Sequence, residues 1–380
     1  MGKTTTKAGS RRSAAGDVHA DRRARLRKAL ASHGVDAVLV TDPIDVGYLT
    51  GFLGGDSYLL LPATARSKPV VISDFRYQEE LEPLKPAVSI HIRRGSFGDS
   101  IKALSGGMQL GSIAVQGEHV SLAQFDTLGK AVGKKKLRPI TGLVTDLRIR
   151  KDETEIAQIR RAVRVQEAAL LAVLPTIEPG QTELEIAARL EAEMKSRGSS
   201  QPGFNTIVAA GANGSLPHYR PQRVKVRKNQ PLLIDWGSVV EGYHGDMTRT
   251  FAVGKWSKTV IEIYDIVHEA HLAAAAALAP GKSTREIDGI ARDHIARAGY
   301  AEYFGHGLGH GMGMQGHEDP RLNPLYADRV LEPGHVVTIE PGIYLPGVGG
   351  VRLEDDFVVT ERGSKNLCSL PMDRGWATLC

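Results

Sequence analysis

QPLLIDWGSVVEGYHGDMTRTFAV, residues 230–253, places two carboxylates, Asp235 and Asp246, in a run that otherwise reads as buried strand. The apolar residues from Pro231 to Ile234 lead into Asp235, and Met247 to Val253 returns to β-branched and aromatic residues. Between them a stretch with Gly237, Gly242 and Gly245 has the composition of a loop, so the whole predicts two strands with an acid near each facing end. Isolated buried carboxylates are too costly to keep ionised, so these two must be paired, hydrogen-bonded or bound to a cation.

The pattern returns 105 residues later. Leu233-Ile234-Asp235-Trp236-Gly237 aligns with Thr338-Ile339-Glu340-Pro341-Gly342, and the second acid, Asp246, has its counterpart in Glu354 of GGVRLEDDFVVT. EPGQTELEI (178–186) likewise matches APGKSTREI (279–287) at a shift of 101, with Gly198 and Gly299 closing two helices at the same shift. The chain therefore carries an internal duplication of roughly 100 residues whose halves each donate an acid pair. A pseudo-twofold arrangement would bring the pairs together.

At 380 residues, with 24% charged and 42% hydrophobic positions, the chain is long enough for two globular domains. Its net charge of +5 is local: residues 1–28 hold nine Lys or Arg against two Asp, which leaves the remainder slightly acidic. Residues 1–20 are expected to form a disordered basic arm. The sequence has no secretory h-region, and its longest apolar stretch, Leu272 to Ala279, is too short to span a bilayer. Cys368 and Cys380 make neither a disulfide framework nor a metal spacing, and a reducing cytoplasm is the expected location.

From residue 21 to 148 the pattern is α/β: a helix over Arg22 to Ser32, the strand VDAVLV, the hairpin-like YLLL and PVVIS, strands SIHI and SIAV, and the helix LAQFDTLGKAV. GKKK (133–136) reads as a solvated turn. From residue 149 to 380 helices alternate with paired strands, predicting an α+β domain with a curved, largely antiparallel sheet, helices outside and acids inside. Capping boxes are expected at Asp152 with Glu155, Thr182 with Glu185 and Ser283 with Glu286, the first opening a long helix over Thr154 to Leu174.

Between the acid pairs lies YFGHGLGHGMGMQGHEDP (303–320), with His306, His310 and His317 among six glycines that let backbones approach closely. AAGANGSLPHYRP brings His218 in a similar setting. Residues 303–320 carry no GK[ST] signature of a phosphate loop. Four carboxylates and one imidazole suit two divalent cations, the four negative charges balancing the two dications, and O-rich ligation with one nitrogen points to Mn²⁺, Co²⁺ or Zn²⁺. Two such metals can bridge a water, lower its pKa and clamp a developing oxyanion. The alternative is that the acids are merely salt-bridged to Arg249, Arg352 and their neighbours.

These stretches resemble the pita-bread metallopeptidases of the creatinase and methionine aminopeptidase clan, most of all the Xaa-Pro aminopeptidase and Xaa-Pro dipeptidase branch. The resemblance runs from about Asp21 to the C-terminus. YLTGF (48–52) and SDFRYQEE (73–80) resemble motifs of the creatinase-type N-terminal domain, which methionine aminopeptidases lack. FNTIVAAGANGSLPHY, LLIDWGSVVEGYHGDMTRTF, GHGLGHGMGMQGHEDP, TIEPGIY and GVRLEDD resemble the catalytic domain. The resemblance implies metal ligands Asp235, Asp246, His310, Glu340 and Glu354, with Asp246 and Glu354 bridging. It implies that His218 and His317 hydrogen-bond substrate and stabilise the tetrahedral intermediate, that His306 lines the pocket and that Glu340 shuttles a proton. Arg352 is expected to orient Glu354. Trp236 departs from the smaller or phenyl side chain common in the family and is expected to pack as core or pocket wall. His244 is expected at the surface.

The implied function is a dinuclear-metal exopeptidase that hydrolyses an N-terminal Xaa-Pro bond through a metal-bridging water or hydroxide. Manganese is the expected metal, with cobalt or zinc as alternatives, and a homodimer the expected assembly, with no nucleic-acid or membrane partner. Phe304, Tyr344 and the histidine loops are expected to receive the pyrrolidine ring. Dipeptidase and aminopeptidase activities both remain open, as does a same-fold amidohydrolase acting on a small non-peptide amide. Intact ligand positions argue against metal-free creatinase-like chemistry. A reading from a different class, a non-catalytic module gripping nucleic acid through the basic arm, predicts lost ligands and salt-dependent binding.

Overall fold

The computed structural model describes residues 17–379, which divide into two compact units, one ending at Leu147 and one beginning at Arg148. The basic arm expected over residues 1–20 lies outside the described residues as far as position 16. From Val18 the chain is helical: Asp17 accepts a hydrogen bond from His19 N and starts α1 (Val18–His33). Among the described residues no helix is long and apolar enough to cross a membrane.

In the first unit the strands are β1 (Ala37–Val40), β2 (Tyr58–Pro62), β3 (Val70–Ser73), β4 (Ser89–Ile92), β5 (Ile113–Gln116) and β6 (Leu137–Ile140). They are interleaved with helices α2 (Pro43–Thr50), α3 (Gln78–Leu81), α4 (Phe97–Gly107) and α5 (Leu122–Val132). The six strands form one mixed sheet in the order β4-β3-β2-β1-β5-β6, antiparallel only where β2 meets β1 and β3. One face packs Leu39, Leu60, Ile72 and Val115 against Ile101 of α4 and Leu128 of α5. The alternate residues Val38, Val40, Leu59, Leu61 and Val71 are buried too. A sheet covered on both faces explains why its strands read as unbroken apolar runs. Lys134–Lys136 form a short 3₁₀ turn on the surface, as the composition predicts.

After the short helix α6 (Thr145–Ile149), the second unit opens with α7 (Glu153–Val173), whose Asp152–Glu155 capping box is complete. Then come α8 (Glu183–Ser196), β7 (Ile207–Ala210), β8 (Gln230–Trp236), the hairpin β9 (Val239–Val240) and β10 (Tyr243–His244), β11 (Met247–Val253), α9 (Lys258–Ala277) and α10 (Thr284–Arg297). The remaining strands are β12 (Gly309–Gly311), β13 (Glu318–Leu322), β14 (Val336–Ile339), β15 (Gly342–Leu345), β16 (Gly349–Arg352), β17 (Asp355–Thr360), β18 (Gly363–Asn366) and β19 (Thr378–Leu379). Among the described residues two larger sheets result, β7-β8-β11-β19 and β13-β12-β14-β17-β18, besides the two-stranded pairs β9-β10 and β15-β16; all are antiparallel except where β11 meets β19.

The duplication is visible in backbone detail. Thr182 bridges Lys225 as Ser283 bridges Val330. Gly180 N donates to Val226 O as Gly281 N donates to Leu331 O, and Glu183 N to Val224 O as Thr284 N to Arg329 O. Helices α8 and α10 are both followed by a left-handed glycine, Gly198 and Gly299. The capping boxes differ. Thr182 and Glu185 bond reciprocally, whereas Glu286 is drawn to Lys282 Nζ at 2.6 Å, so Ser283 caps α10 without the expected return bond.

A buried triad ties the start of this unit to β13. Glu318 accepts from Arg148 at 2.8 Å and from Lys151 at 3.1 Å, all three side chains being almost wholly buried. Burial would push the Glu318 carboxyl up, but Lys151 and Arg148 outweigh it and hold the group below its ordinary range. Its contribution to stability is therefore complete above the ordinary glutamate value of 4.5 and is lost as pH falls through the lower folded value. Glu318→Gln leaves two buried cations under-compensated and is expected to destabilise the protein by about 3–5 kcal/mol. Denaturant titrations at pH 7 and at pH 3–4 check this: the wild type loses the contribution on acidification, and the variant lacks that part of the slope.

Candidate metal centre

The site is assembled from the ends of strands and from two glycine-rich loops. Asp235 sits near the end of β8, and the residues just after it are fixed to α7: Trp236 Nε1 donates to Gln166 O at 3.0 Å, Ser238 N to Gln166 Oε1 at 3.0 Å and Ser238 Oγ to Ala162 O at 2.8 Å. Trp236 is fully buried core. Asp246 precedes β11, its N–H donating to Asp356 Oδ2 at 3.0 Å. Glu354 is laid across β11 from the other repeat, its N–H on Thr248 O at 3.1 Å and its carboxylate accepting from Thr248 Oγ1 at 2.6 Å. His310 lies on β12, where Gly309 and Gly311 are obligatory: a Cβ on either would strike the backbone of Thr338 or Asp319.

All nine residues expected from the sequence line one cavity of about 520 Å³: Asp235, Asp246, His310, Glu340, Glu354, His218, His306, His317 and Arg352. Asp246, His310 and Glu354 each offer a ligand atom within 4.8 Å of the others. Asp235 and Glu340 stand outside that trio. Asp235 Oδ2 is held by Arg352 at 2.6 Å, and Glu340 Oε1 faces His310 Nε2 at 3.3 Å.

The electrostatics fit a cation. Burial, and then the charge of the neighbouring acids, pushes the Asp246 and Glu354 carboxyls far above the ordinary range, and burial raises Asp235 and Glu340 as well. Asp235 Oδ1 is buried without a hydrogen-bond partner. Burial and the neighbouring His317 keep His310 neutral. Its Nδ1 lies 3.0 Å from Gly311 O, so the tautomer that donates there turns an Nε2 lone pair toward Glu340 at 3.3 Å and Asp246 at 3.8 Å. A lone pair facing carboxylate oxygens is the donor set of a hard or borderline divalent ion.

Three expectations need correction. Arg352 does not touch Glu354: its guanidinium donates to Asp235, to Tyr344 Oη at 2.9 Å and to Thr248 Oγ1 at 3.0 Å, and only through Thr248 does it reach Glu354. Phe304 and Tyr344 do not form the pocket wall. Phe304 is buried beneath Arg292, whose guanidinium stands 4.5 Å over the ring, and Tyr344 Oη is engaged by Arg352 and by His306 Nε2 at 2.8 Å. The apolar wall is instead Phe204, Ile207, Pro217 and Tyr219. His244 is half-buried against Gly313 O at 3.3 Å, not at the surface.

The histidines differ in freedom. His306 uses both ring nitrogens, one at 2.7 Å from Gly307 O and the other on Tyr344, and burial takes its pKa down to about 4. It is a fixed neutral wall. His218 and His317 are exposed to the cavity, and His317 stacks on His310 with ring centroids 3.9 Å apart. Arg249 serves the frame and not the acids, donating to the Glu354 and Leu370 carbonyls and to Asp355 Oδ1 at 2.7 Å. Arg321, overlooked in the sequence, also lines the cavity. The alternating burial of β13 sets Asp319 and Arg321 apart from buried Glu318, Pro320 and Leu322, a strand signal that places Arg321 on the face of His317.

Saturating divalent metal at about 100 times its Kd is expected to stabilise the protein by about 2.7 kcal/mol. In Asp246→Asn that gain should vanish, while the metal-free variant is no less stable than the metal-free wild type because one repelling charge is gone. Thermal melts with and without metal check both.

Residues 157–361 match the sequence profile of metallopeptidase family M24, and residues 22–150 that of the creatinase/prolidase N-terminal domain. The chain is 34% identical over 354 residues to the Xaa-Pro dipeptidase of Pyrococcus horikoshii, covering 92% of this chain and 97% of that one. Among solved structures it superimposes on the Xaa-Pro dipeptidase from Bacillus anthracis with a TM-score of 0.89 at 34% identity, over 93% of this chain and 99% of that one. The X-Pro aminopeptidase from Thermotoga maritima matches with a TM-score of 0.85 at 34% identity, over 92% and 98%.

Proposed function

Because the chain belongs to metallopeptidase family M24 and is a hydrolase of that family, we propose that it is a dinuclear-metal exopeptidase cleaving the bond between an N-terminal residue and a proline in second position. The observation that carries this reading is the convergence of four raised carboxyls and the His310 Nε2 lone pair in one cavity. Asp235, Asp246, His310, Glu340 and Glu354 are its proposed ligands. When bound, two divalent cations would supply a more acidic water and a positive charge against the developing oxyanion.

The chain's own residues do the rest. Glu340, raised above the ordinary carboxylate range by burial, takes a proton from the attacking water and delivers it to the leaving proline nitrogen. His218 and His317 donate hydrogen bonds to the substrate carbonyl as charge develops on its oxygen. Arg352 fixes one oxygen of Asp235 and keeps the other turned away from it. Phe204, Ile207 and Tyr219 offer an apolar wall to a pyrrolidine ring. The proposal includes manganese as the metal, a homodimer as the assembly and the cytoplasm as the location. O-rich donors support the first, and two cysteines in 380 residues suit a reducing compartment.

Dipeptides are the preferred substrates in this reading. Arg321, 3.9 Å from Asp319 and 5.7 Å over the Tyr326 ring, lines the cavity and is the cation proposed to meet the carboxylate that ends a dipeptide after proline. Arg321→Ala is therefore expected to raise KM for an Xaa-Pro dipeptide by about 10- to 100-fold, with kcat little changed and an amidated dipeptide unaffected. Steady-state hydrolysis of both substrates decides this, and no hydrolysis of either by the manganese-loaded wild type would redirect the search to non-peptide amides.

A further inference from the structure

His218 arrives on residues 211–222, a segment whose regular structure is a short 3₁₀ turn over Gly211–Ser215. The segment is gripped by Glu183, the first residue of α8, which is fully buried. Glu183 Oε1 accepts from Ala210 N at 2.8 Å and Asn213 Nδ2 at 2.9 Å, and Oε2 accepts from Tyr219 Oη at 2.8 Å and Gln222 N at 3.0 Å. The four donors lie on both sides of His218. Capping of α8 does not require this carboxylate, because Thr182 already accepts from Glu185 N. Four donors satisfy both oxygens of this buried side chain, two on each.

The other histidine loop is held by a similar device displaced one turn along the equivalent helix. Asp288 of α10 accepts from Leu308 N at 2.9 Å and pairs with Arg292, which donates to His306 O at 2.7 Å and Phe304 O at 3.1 Å. Thr284, at the position matching Glu183, bonds to Asp328 instead.

We propose that Glu183 is a positioning residue that sets the place of His218 at the carboxylate cluster, although it lines no part of the cavity. Its catalytic consequence rests on the exopeptidase reading; its effect on the loop does not. The manganese-loaded full-length protein is compared with Glu183→Gln, which keeps the shape but turns an amide NH₂ toward the Tyr219 and Gln222 donors. Hydrogen–deuterium exchange is expected to rise about ten-fold or more within 211–222 and to stay unchanged over 304–308. For an Xaa-Pro dipeptide kcat is expected to fall about ten-fold or more with KM within about two-fold. In a His218→Ala background the same substitution should lower kcat no further. Should Glu183→Gln not fold, Asn213→Ala, which removes one of the four donors, is expected to give smaller changes of the same pattern. Unchanged loop exchange, exchange raised throughout the unit, or an undiminished kcat effect in the His218→Ala background would each overturn the proposal. A wild type inactive on Xaa-Pro peptides would defeat the exopeptidase reading, while the exchange comparison would still decide whether Glu183 holds the loop.

Discussion

Four carboxyls confined to one buried place, two from each half of a duplicated unit, are the constraint on which this domain turns. Burial raises them all, and the charge of neighbouring acids raises Asp246, Glu354 and Glu340 further. Among the described residues Arg352 is paired directly with the cluster through Asp235, and one positive charge cannot balance four ionised carboxylates. The unpartnered Asp235 oxygen and the His310 lone pair define where compensating charge is wanted. Divalent cations meet that demand without the cost of removing the acids.

Much of the surrounding framework serves to hold mutually repelling groups still. Thr248 links the repeats, accepting from Arg352 and donating to Glu354. Arg249, fully buried, binds the backbone of Glu354 and the carboxylate of Asp355. Around the rim the histidines are held from behind: His317 by the strand that Glu318 anchors to Arg148 and Lys151, His306 by Arg292 and Asp288, and His218 by Glu183.

The four carboxyls that line the cavity were legible because duplication repeats an acid at the end of an apolar run, a pattern that burial makes costly unless something pays for it. The α/β and α+β character of the two units emerged from strand and helix periodicity, and two of the three capping boxes from residue spacing. Contacts that depend on register across the repeats were not legible. Thr248 and Arg352 are 104 positions apart and meet only because Thr250 and Arg352 pair side chain to backbone, which no local spacing encodes. Phe304 looked like a pocket wall among glycines, yet Arg292, one helix earlier, covers its face. Arg321 was hidden by reading 303–320 as one glycine-rich loop when a strand begins at Glu318.

The most direct test is the number of manganese ions retained per chain at neutral pH, measured by elemental analysis after equilibrium dialysis, for the wild type and for Glu354→Gln. Two ions in the wild type and a loss of at least one in the variant are the predicted result. A wild type that binds none, with the four carboxyls compensated by protons and Arg352 alone, would contradict the account.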